Sequence, residues 1–266
     1  MTTPAHSPED STKIAGTAAF SKFVAVLQLI ADQTGSSLSI SQLAALSGYP
    51  RPTVYRILGA LMAEGMVVEN PRTRNFEVGP RLINLASKAW DRSDIRTTAI
   101  DALRALRDIT RETVHLAVPS DTGMVYIEKL ESPQAVRMTS RIGTRVTLYS
   151  SSVGKAYLSA LGSEDSERLM RAITMQKFTE HTITDIATLR EEIAQTRQRG
   201  FAEDREENEA QIFCLGAPIP GPDGAPVACI SISIPLFRKQ QDVQASYIQP
   251  LLETCAGIAR KLAGPG

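Results

Sequence analysis

The sequence predicts an α+β protein with two domains, a small helical domain that ends in a β-hairpin and a larger antiparallel sheet flanked by helices. Three observations support this class. The chain has 266 residues, 42% of them apolar, which is enough for two ordinary hydrophobic cores. Apolar residues recur at helical spacing as far as residue 65. From residue 114 the spacing changes to the alternation typical of strands, with helical segments between them.

Charge and cysteine content exclude several classes of protein. The 29 basic and 29 acidic residues balance, so any contact with nucleic acid requires a local basic surface. The cysteines at positions 214, 229 and 255 lack metal-ligand spacing and indicate free thiols in a reducing compartment. Residues 1–17 are polar, and we expect a disordered tail there and not a signal peptide. These features predict a cytoplasmic protein without a membrane segment, a metal or a cofactor.

The first domain shows three helical segments with their start and stop signals. The predicted inner face of the first segment consists of Phe20, Phe23, Val24, Leu27 and Ile30. Ser39 stands three residues before Gln42, the pattern of a capping box, and Gly48 ends this second helix. The third helix begins at the prolines at 50 and 52 and ends near residue 65. Its predicted core residues are Val54, Ile57, Leu58 and Leu61.

A hairpin signal follows the third helix. Two strand-like runs, 66–69 and 75–78, flank the turn segment NPRTR. Three helices and a hairpin predict a winged helix-turn-helix over residues 18–80, whose third helix enters the DNA major groove. The predicted DNA contacts are Ser41, Arg51, Pro52, Thr53, Tyr55, Arg56, Arg72, Arg74 and Asn75. This surface is only modestly basic, which favours a dimer on two half-sites. The alternative is an ordinary solvated helix face.

The remaining chain predicts a linker helix and a mixed domain. Residues 81–92 are expected to connect the two domains and to pack against either a partner subunit's copy or their own chain. The helix over 93–113 is expected to open a domain that runs to residue 266. Strands are expected in 114–130, 211–219 and 225–235, with strand-like pieces in AVRMTSRIG and RVTLYSS. Further helices are expected from Ser151 or Ser152, over 187–200, and from about 243 to 262.

Candidate chemical groups in this domain are few. The acid run EDREENEA at 203–210 is expected to be a solvated loop, and Cys214 is expected to be a small apolar filler of a strand. Ser231 and Ser233 alternate with isoleucines and so face one side of their strand. They line either a cavity for a polar ligand or a solvent-exposed face. Neither histidine of this region, His115 or His181, shows nucleophile or metal spacing, so no catalytic residue is predicted.

Four ordered blocks of the chain resemble the IclR family of bacterial transcriptional regulators, from about residue 18 to residue 262. PRPTVYRILGALMAEGMV resembles the recognition helix and the entry to the wing, and NFEVGPRLINLA resembles the exit from the wing and the linker. IGTRVTLYSSSVGKAYLSAL resembles the block that opens the effector pocket, and GFAEDREENEAQIFCLGAPI resembles the family signature. The signature normally closes with an aromatic residue or histidine and then an acidic or amide residue, where this chain has Pro220 and Gly221.

The resemblance implies a C-terminal GAF-like domain that binds a small carboxylic acid, and homodimers or tetramers on a palindromic operator. It implies effector contacts at Met138, Ser152, Val153, Gly154, Asp204, Ile212, Cys214, Ser231 and Ser233. The expected function is repression of a catabolic operon, controlled by a sugar acid or keto acid. Two alternatives stay open: a thiol-based redox-responsive regulator, and an enzyme fused to a DNA-binding module that uses Cys214 with Asp204.

Overall fold

The computed structural model describes residues 18–33, 37–91, 94–121, 123–136 and 138–263, so the expected tail at 1–17 lies outside the described residues. The chain divides into two compact units, Met1–Arg92 and Ser93–Gly266. Among the described residues, no helix combines the length and apolar character needed to cross a bilayer.

The first unit consists of helices around one small core and a two-stranded hairpin. In chain order its elements are α1 (Ala18–Ala31), α2 (Ile40–Ser47), α3 (Arg51–Ala63), β1 (Val67–Glu69), β2 (Phe76–Val78) and α4 (Pro80–Asp91). The capping box at the start of α2 is confirmed, because Ser39 and Gln42 bond each other's backbone and side chain. Gly48 closes α2 with a left-handed φ of 69°, a conformation that glycine adopts without strain.

The predicted inner face of α1 is partly wrong. Val26 and Ile30 are the buried residues of this helix and pack into the core of the first unit. Phe20 and Val24 are 69% and 45% exposed. Phe23 and Leu27 pack partly buried against the same core. Helical spacing detected the apolar side of α1 but did not show that its covered part is centred on Val26 and Ile30.

The hairpin is attached to the segment that precedes α2. The Phe76 N–H donates to the Leu38 carbonyl at 2.8 Å, and the Asn75 side-chain amide donates to the Ser37 carbonyl at 2.9 Å. Phe76 is buried in the core of the first unit. These contacts fix the position of the hairpin beside α3, as a winged helix-turn-helix requires.

The second unit contains a six-stranded antiparallel sheet in the order β5-β4-β3-β8-β7-β6. Its strands are β3 (Thr113–Ser120), β4 (Gly123–Leu130), β5 (Arg145–Val146), β6 (Ala202–Arg205), β7 (Ile212–Pro220) and β8 (Pro226–Pro235). Its helices are α5 (Asp94–Thr110), α6 (Ser152–Ala160), α7 (Ser163–Ala172), α8 (Ile186–Arg199) and α9 (Gln249–Leu262). The fold class predicted from the sequence is confirmed.

Helices cover both faces of this sheet, and the two faces differ in chemistry. Side chains such as Leu116, Ile230, Ile232 and Leu215 pack against α5 and α9 in an apolar core. The opposite face packs against α6, through Val153 and other residues of a second apolar cluster. Most of the polar side chains of the central strands lie on this α6 side.

Several predicted elements have other bounds. The helix expected over 93–113 ends at Thr110, because Arg111 takes a left-handed φ of 61° and the chain then enters β3. The described residues of AVRMTSRIG form no strand, and RVTLYSS contributes only the two residues of β5. The last helix begins with a π-helical turn, Gln244–Ile248. Helix α7 and strand β6 were not predicted.

The close approach of α6 to the sheet yields a stability prediction. A Cβ on Gly216 would lie 2.6 Å from the Ser152 carbonyl oxygen, inside any permitted contact. We expect Gly216→Ala to lower the free energy of unfolding by about 1–3 kcal/mol, because α6 must shift. Urea denaturation measures this change.

Gly257→Ala is the matched control, because its Cβ would meet nothing closer than an Arg260 nitrogen at 3.8 Å. Within helix α9 the added methyl group should leave stability unchanged or raise it by about 0.5–1 kcal/mol. Equal destabilisation of both variants would contradict the tight packing of α6 on β7.

Candidate functional site

The outer side of α3 forms the main part of the candidate DNA-binding surface. Val54, Ile57, Leu58 and Leu61 are buried, as predicted, and this orients the helix. Arg51, Pro52, Tyr55 and Arg56 are exposed on its other side, with Tyr55 at 70%, and Thr53 is half-buried. Ser41 is exposed at the start of α2. The structure therefore brings the predicted residues of α2 and α3 to solvent at the start of each helix.

The tip of the hairpin adds two exposed arginines. Arg74 takes a left-handed φ of 59° and pairs with Glu69 at 2.8 Å, with 77% of its side chain exposed. An ion pair this exposed contributes little stability, so the Arg74 guanidinium can exchange Glu69 for a phosphate at small cost. Arg72 is exposed beside it. Asn75 differs, because its amide is engaged with the Ser37 carbonyl and so serves the attachment of the hairpin.

The α6 side of the sheet carries a buried cluster of polar groups. Ser231 and Ser233 face this side, as predicted, and they are only 1% and 4% exposed. The alternative that these serines face solvent is therefore wrong. Ile212, Cys214 and Gly216 share the same side on the neighbouring strand β7.

The acid run is not a solvated loop, contrary to expectation. Asp204 belongs to β6, pairs in register with Cys214, and is 3% exposed; Glu207 is 4% exposed. Each buried carboxylate has polar partners, which is the condition for its burial. Asp204 accepts from the N–H groups of Glu207 at 2.8 Å and Asn208 at 3.2 Å. Glu207 pairs with the fully buried Lys155 at 2.5 Å.

The electrostatic environment of Asp204 favours its protonated form. Burial and then the nearby Glu207 carboxylate raise the pKa of Asp204 to about 7, although Lys155 acts in the opposite direction. Cys214 lies between Asp204 and Ser233 and directs its thiol toward the Ser233 hydroxyl, at 3.4 Å. Asp204, Cys214 and Ser233 thus form one row across three strands.

Helix α6 begins beside this row, where the Ser152 backbone packs against Gly216 of β7. Ser151 is its N-cap, because the Ser151 hydroxyl accepts from the Gly154 N–H at 3.1 Å. Gly154 therefore has no free N–H, and a Cβ there would lie 2.3 Å from the Thr147 carbonyl oxygen, so its role is close packing. Helix geometry leaves the N–H groups of Ser152 and Val153 for an external acceptor. These two groups, with the positive end of the helix dipole, are suited to an anion.

Sequence reasoning missed a second polar group on this side of the sheet, formed by His115, Tyr126, Lys129 and Ser140. His115 and Tyr126 stack with ring centroids 4.2 Å apart. Lys129 donates to the carbonyls of Met138 at 2.8 Å and Ser140 at 2.7 Å, which leaves Met138 half-buried beside this group. The alternation of side chains along β3 could have indicated this group, because it places His115 on the same face as Ser231, its partner in β8.

The cysteines do not support a redox or nucleophilic role. All three are buried. Burial holds the pKa of the Cys214 and Cys229 thiols well above the usual range, and raises that of Cys255 to about 12. The thiolate is the reactive form, so buried neutral thiols are poor sensors and poor nucleophiles. Among the described residues, no group of three or more histidine, cysteine, aspartate or glutamate side chains is arranged to hold a metal ion.

Comparisons with known proteins agree with this architecture. Residues 20–71 match the family model of the IclR helix-turn-helix domain, and residues 87–260 match the model of the bacterial transcriptional regulator IclR C-terminal domain. The chain is similar to the HTH-type transcriptional regulator BhcR of Paracoccus denitrificans, with 33% identity over 254 residues. This match covers 94% of this chain and 90% of BhcR.

Solved structures share this fold. The IclR structure from Thermotoga maritima matches with a TM-score of 0.72 and 32% identity, over 92% of this chain and 98% of that one. An IclR homologue from Microbacterium hydrocarbonoxydans, complexed with 4-hydroxybenzoate, matches with a TM-score of 0.78 and 23% identity. That match covers 93% of this chain and 100% of the homologue, and it shows that the two proteins share a fold.

The raised pKa of Asp204 predicts a pH-dependent stability. Between about pH 4 and pH 7, Asp204 is protonated in the folded state but ionised in the unfolded chain. The contribution of Asp204 to the free energy of unfolding is therefore fully present below about pH 4 and is lost as the pH rises through about 7. We expect the free energy of unfolding of Asp204→Asn, measured relative to that of the parent, to rise by roughly 2–3 kcal/mol as the pH is raised from 5 to 8. Urea denaturation at each pH measures the difference.

Asp223→Asn is the control for this experiment, because Asp223 is exposed in the β7–β8 turn and Asn can keep its hydrogen bond to the Ala225 N–H. This variant makes the same change from carboxylate to amide outside the buried polar face. A stability difference between Asp204→Asn and the parent that is the same at every pH would show that the pKa of Asp204 is not raised in the folded protein.

Proposed function

The chain belongs to the IclR family of bacterial transcriptional regulators, and from that premise we propose that it represses a catabolic operon under the control of a small carboxylic acid, either a sugar acid or a keto acid. The family consists of DNA-binding regulators and not of enzymes. The observation that carries the proposed effector is the buried polar face of the sheet beneath the start of α6.

The arrangement of this face suits a hydroxylated acid. The effector carboxylate would accept from the N–H groups of Ser152 and Val153, where the helix dipole favours an anion. The hydroxyls of Ser231 and Ser233 lie close by in the sheet and would bond hydroxyl or keto oxygens of the ligand. Asp204, with a pKa near neutrality, would donate or accept a hydrogen bond according to its protonation.

The acid class has support from the related fold and from the lining of this site. The homologue from Microbacterium hydrocarbonoxydans is complexed with 4-hydroxybenzoate, which is also a small carboxylate. In this chain the sheet beneath α6 offers two serine hydroxyls and a thiol to the ligand. Several hydrogen-bonding groups that converge on one site favour a ligand with several oxygens over an aromatic ring.

A dimer is supported by the exposed apolar side chains of α4. Ile83 and Leu85 are 73% and 47% exposed, so the alternative that the described part of α4 is buried on its own chain is not supported. A second copy of α4 would cover them. Dimerisation would also double the few phosphate contacts of one DNA-binding surface, which is required because affinity rises with the number of phosphates neutralised.

Regulation would then follow from a shift between two arrangements of the dimer. The effector changes DNA affinity only if it binds one arrangement more tightly than the other. The two recognition helices of a dimer must match half-sites about 34 Å apart, so a small change in their separation alters operator binding.

The recognition surface can be tested with Arg56→Ala. We expect operator affinity to fall at least about tenfold, because an arginine that contacts a base or phosphate is lost. A gel shift measures this, with a fragment that the parent protein selects from a random DNA pool. Acid binding by the variant should stay unchanged.

Arg104→Ala controls for the loss of one positive charge, because Arg104 is exposed on α5 and paired with Asp101 at 3.1 Å. This variant should retain the operator as the parent does. Parental affinity in Arg56→Ala would show that α3 does not read the DNA.

The role of α4 can be tested with Ile83→Asp. We expect the variant to dissociate to monomers at concentrations where the parent is dimeric, because an interface then buries an unpaired charge. Sedimentation velocity measures the oligomeric state. Asn84→Asp adds the same charge at an exposed position on the polar side of α4, away from Ile83 and Leu85, and should leave the dimer intact. An Ile83→Asp variant that stays dimeric would place the interface elsewhere.

A further inference from the structure

His115 lies beside the proposed acid site and shares Ser231 with it. Its ring is 1% exposed and stacks on Tyr126. Nδ1 lies 3.5 Å from the Ser231 hydroxyl, and Nε2 lies 2.8 Å from the Ser140 hydroxyl. Burial, with a smaller effect from the Lys129 charge, lowers the pKa of His115 to about 3. The ring is therefore neutral at physiological pH and presents one donor and one acceptor.

The strand register places His115 in line with the start of α6. Ser231 pairs with His115 on β3 and with Gly216 on β7, and Gly216 abuts the Ser152 backbone. Neighbouring strands lie ~4.8 Å apart, so β7 and β3 are separated by roughly 10 Å. The end oxygens of an extended six-carbon acid are roughly 8 Å apart, whereas those of a three-carbon acid are roughly 5 Å apart. The longer acid can reach both positions with strongly tilted hydrogen bonds, whereas the shorter acid reaches them only if both hydrogen bonds, each about 2.8 Å, lie almost along the line that joins the two positions.

We propose that His115 is a specificity-determining residue at the far end of the effector site, where its Nε2 binds the terminal hydroxyl of a hydroxy acid of about five or six carbons in place of Ser140. This inference rests on the proposed function, since it takes the carboxylate to lie at the start of α6. Ser231, between the two positions, would contact the middle of the ligand.

Ser140 belongs to a connection that covers this end of the polar face. The connection runs from Met138 to Thr144 and leads into β5. Its beginning is held by Lys129, whose ammonium donates to the carbonyls of Met138 and Ser140. Its end is held at Tyr126, through the N–H of Gly143 at 2.7 Å. Between these anchors the Ser140 side chain reaches the His115 ring, so a ligand hydroxyl can replace it without loss of either anchor.

The chemistry of the ring selects the group that binds there. A hydroxyl both donates and accepts, so it can replace the Ser140 hydroxyl whichever nitrogen of His115 carries the proton. A methyl group would leave the buried nitrogen without a partner, which is unfavourable. A second carboxylate would meet a neutral ring, and the Lys129 hydrogens are already donated to two carbonyls and, at 3.3 Å, to Glu131. The site therefore favours a terminal hydroxyl.

Isothermal titration of the full-length chain with glycerate and gluconate tests this inference. We expect the parent to bind gluconate at least about tenfold more tightly than glycerate. His115→Phe keeps an aromatic ring to stack on Tyr126 but removes both nitrogens. Gluconate affinity should fall about tenfold in this variant, to the level of glycerate, while glycerate affinity stays unchanged.

A second variant removes the competing group and leaves the ring in place. In Ser140→Ala the ligand hydroxyl no longer displaces a hydrogen bond, so gluconate should bind several-fold more tightly and glycerate as before. This variant keeps the inference testable if His115→Phe does not fold. Thr139→Ala, at an exposed neighbouring position, should behave as the parent with both acids.

The outcomes separate this inference from the proposed function. Equal affinity of the parent for glycerate and gluconate would overturn the role of His115 and leave the acid site standing. Parental gluconate affinity in the two variants at His115 and Ser140 would do the same. Binding of neither acid by the parent would overturn the acid site at α6 and the inference with it.

Discussion

The second unit depends on one constraint, the antiparallel register of β3, β8 and β7. This register aligns His115 with Ser231 and aligns Ser233 with Cys214, so polar side chains of different strands meet on one face. Because side chains alternate along a strand, the isoleucines of β8 lie on the opposite face, where they pack with α5 and α9. A shift of one residue would exchange the faces and bury the hydroxyls in an apolar core, at a cost of several kcal/mol. The apolar side therefore fixes the position of the polar side.

The proposed site depends on the close packing of α6 on this polar face. Gly216 lets the Ser152 backbone approach β7, and Gly154 lets the helix approach the segment before it. A larger residue at either position would separate the helix start from the serine hydroxyls. In the proposed site, the N–H groups at the start of α6 and the sheet hydroxyls would act on one ligand, because two glycines leave no side chain between the helix start and the sheet. The two glycines allow the backbone to approach closely and supply no chemical group to the site.

The sequence predicted most reliably the features that local signals determine. The capping box at Ser39, the left-handed Gly48 and the core side of α3 depend on residues within one or two helical turns, and all were confirmed. The burial of Asp204 and Glu207 could not be predicted in the same way, because their partners are distant in sequence. Lys155 lies on α6, and without it an acid run is expected in solvent. Helix α1 shows the same limit, since spacing did not predict that Phe20 and Val24 of its apolar side are exposed.

The buried charges explain why the proposed site would take a monoanion. Lys155 is fully buried and pairs with Glu207 at 2.5 Å, so its charge is already compensated and not available to a ligand. Asp204 lies nearby, and the same Glu207 carboxylate contributes to its raised pKa. One negative charge at the start of α6 is stabilised by the helix dipole and N–H groups, and it favours the protonated form of Asp204. A second negative charge near β6 would lie close to the Glu207 carboxylate. Among the described partners of the Lys155–Glu207 pair, no free cation would offset that charge. In the proposed site, selection against dianions would therefore follow from the same charges that hold α6 to the sheet.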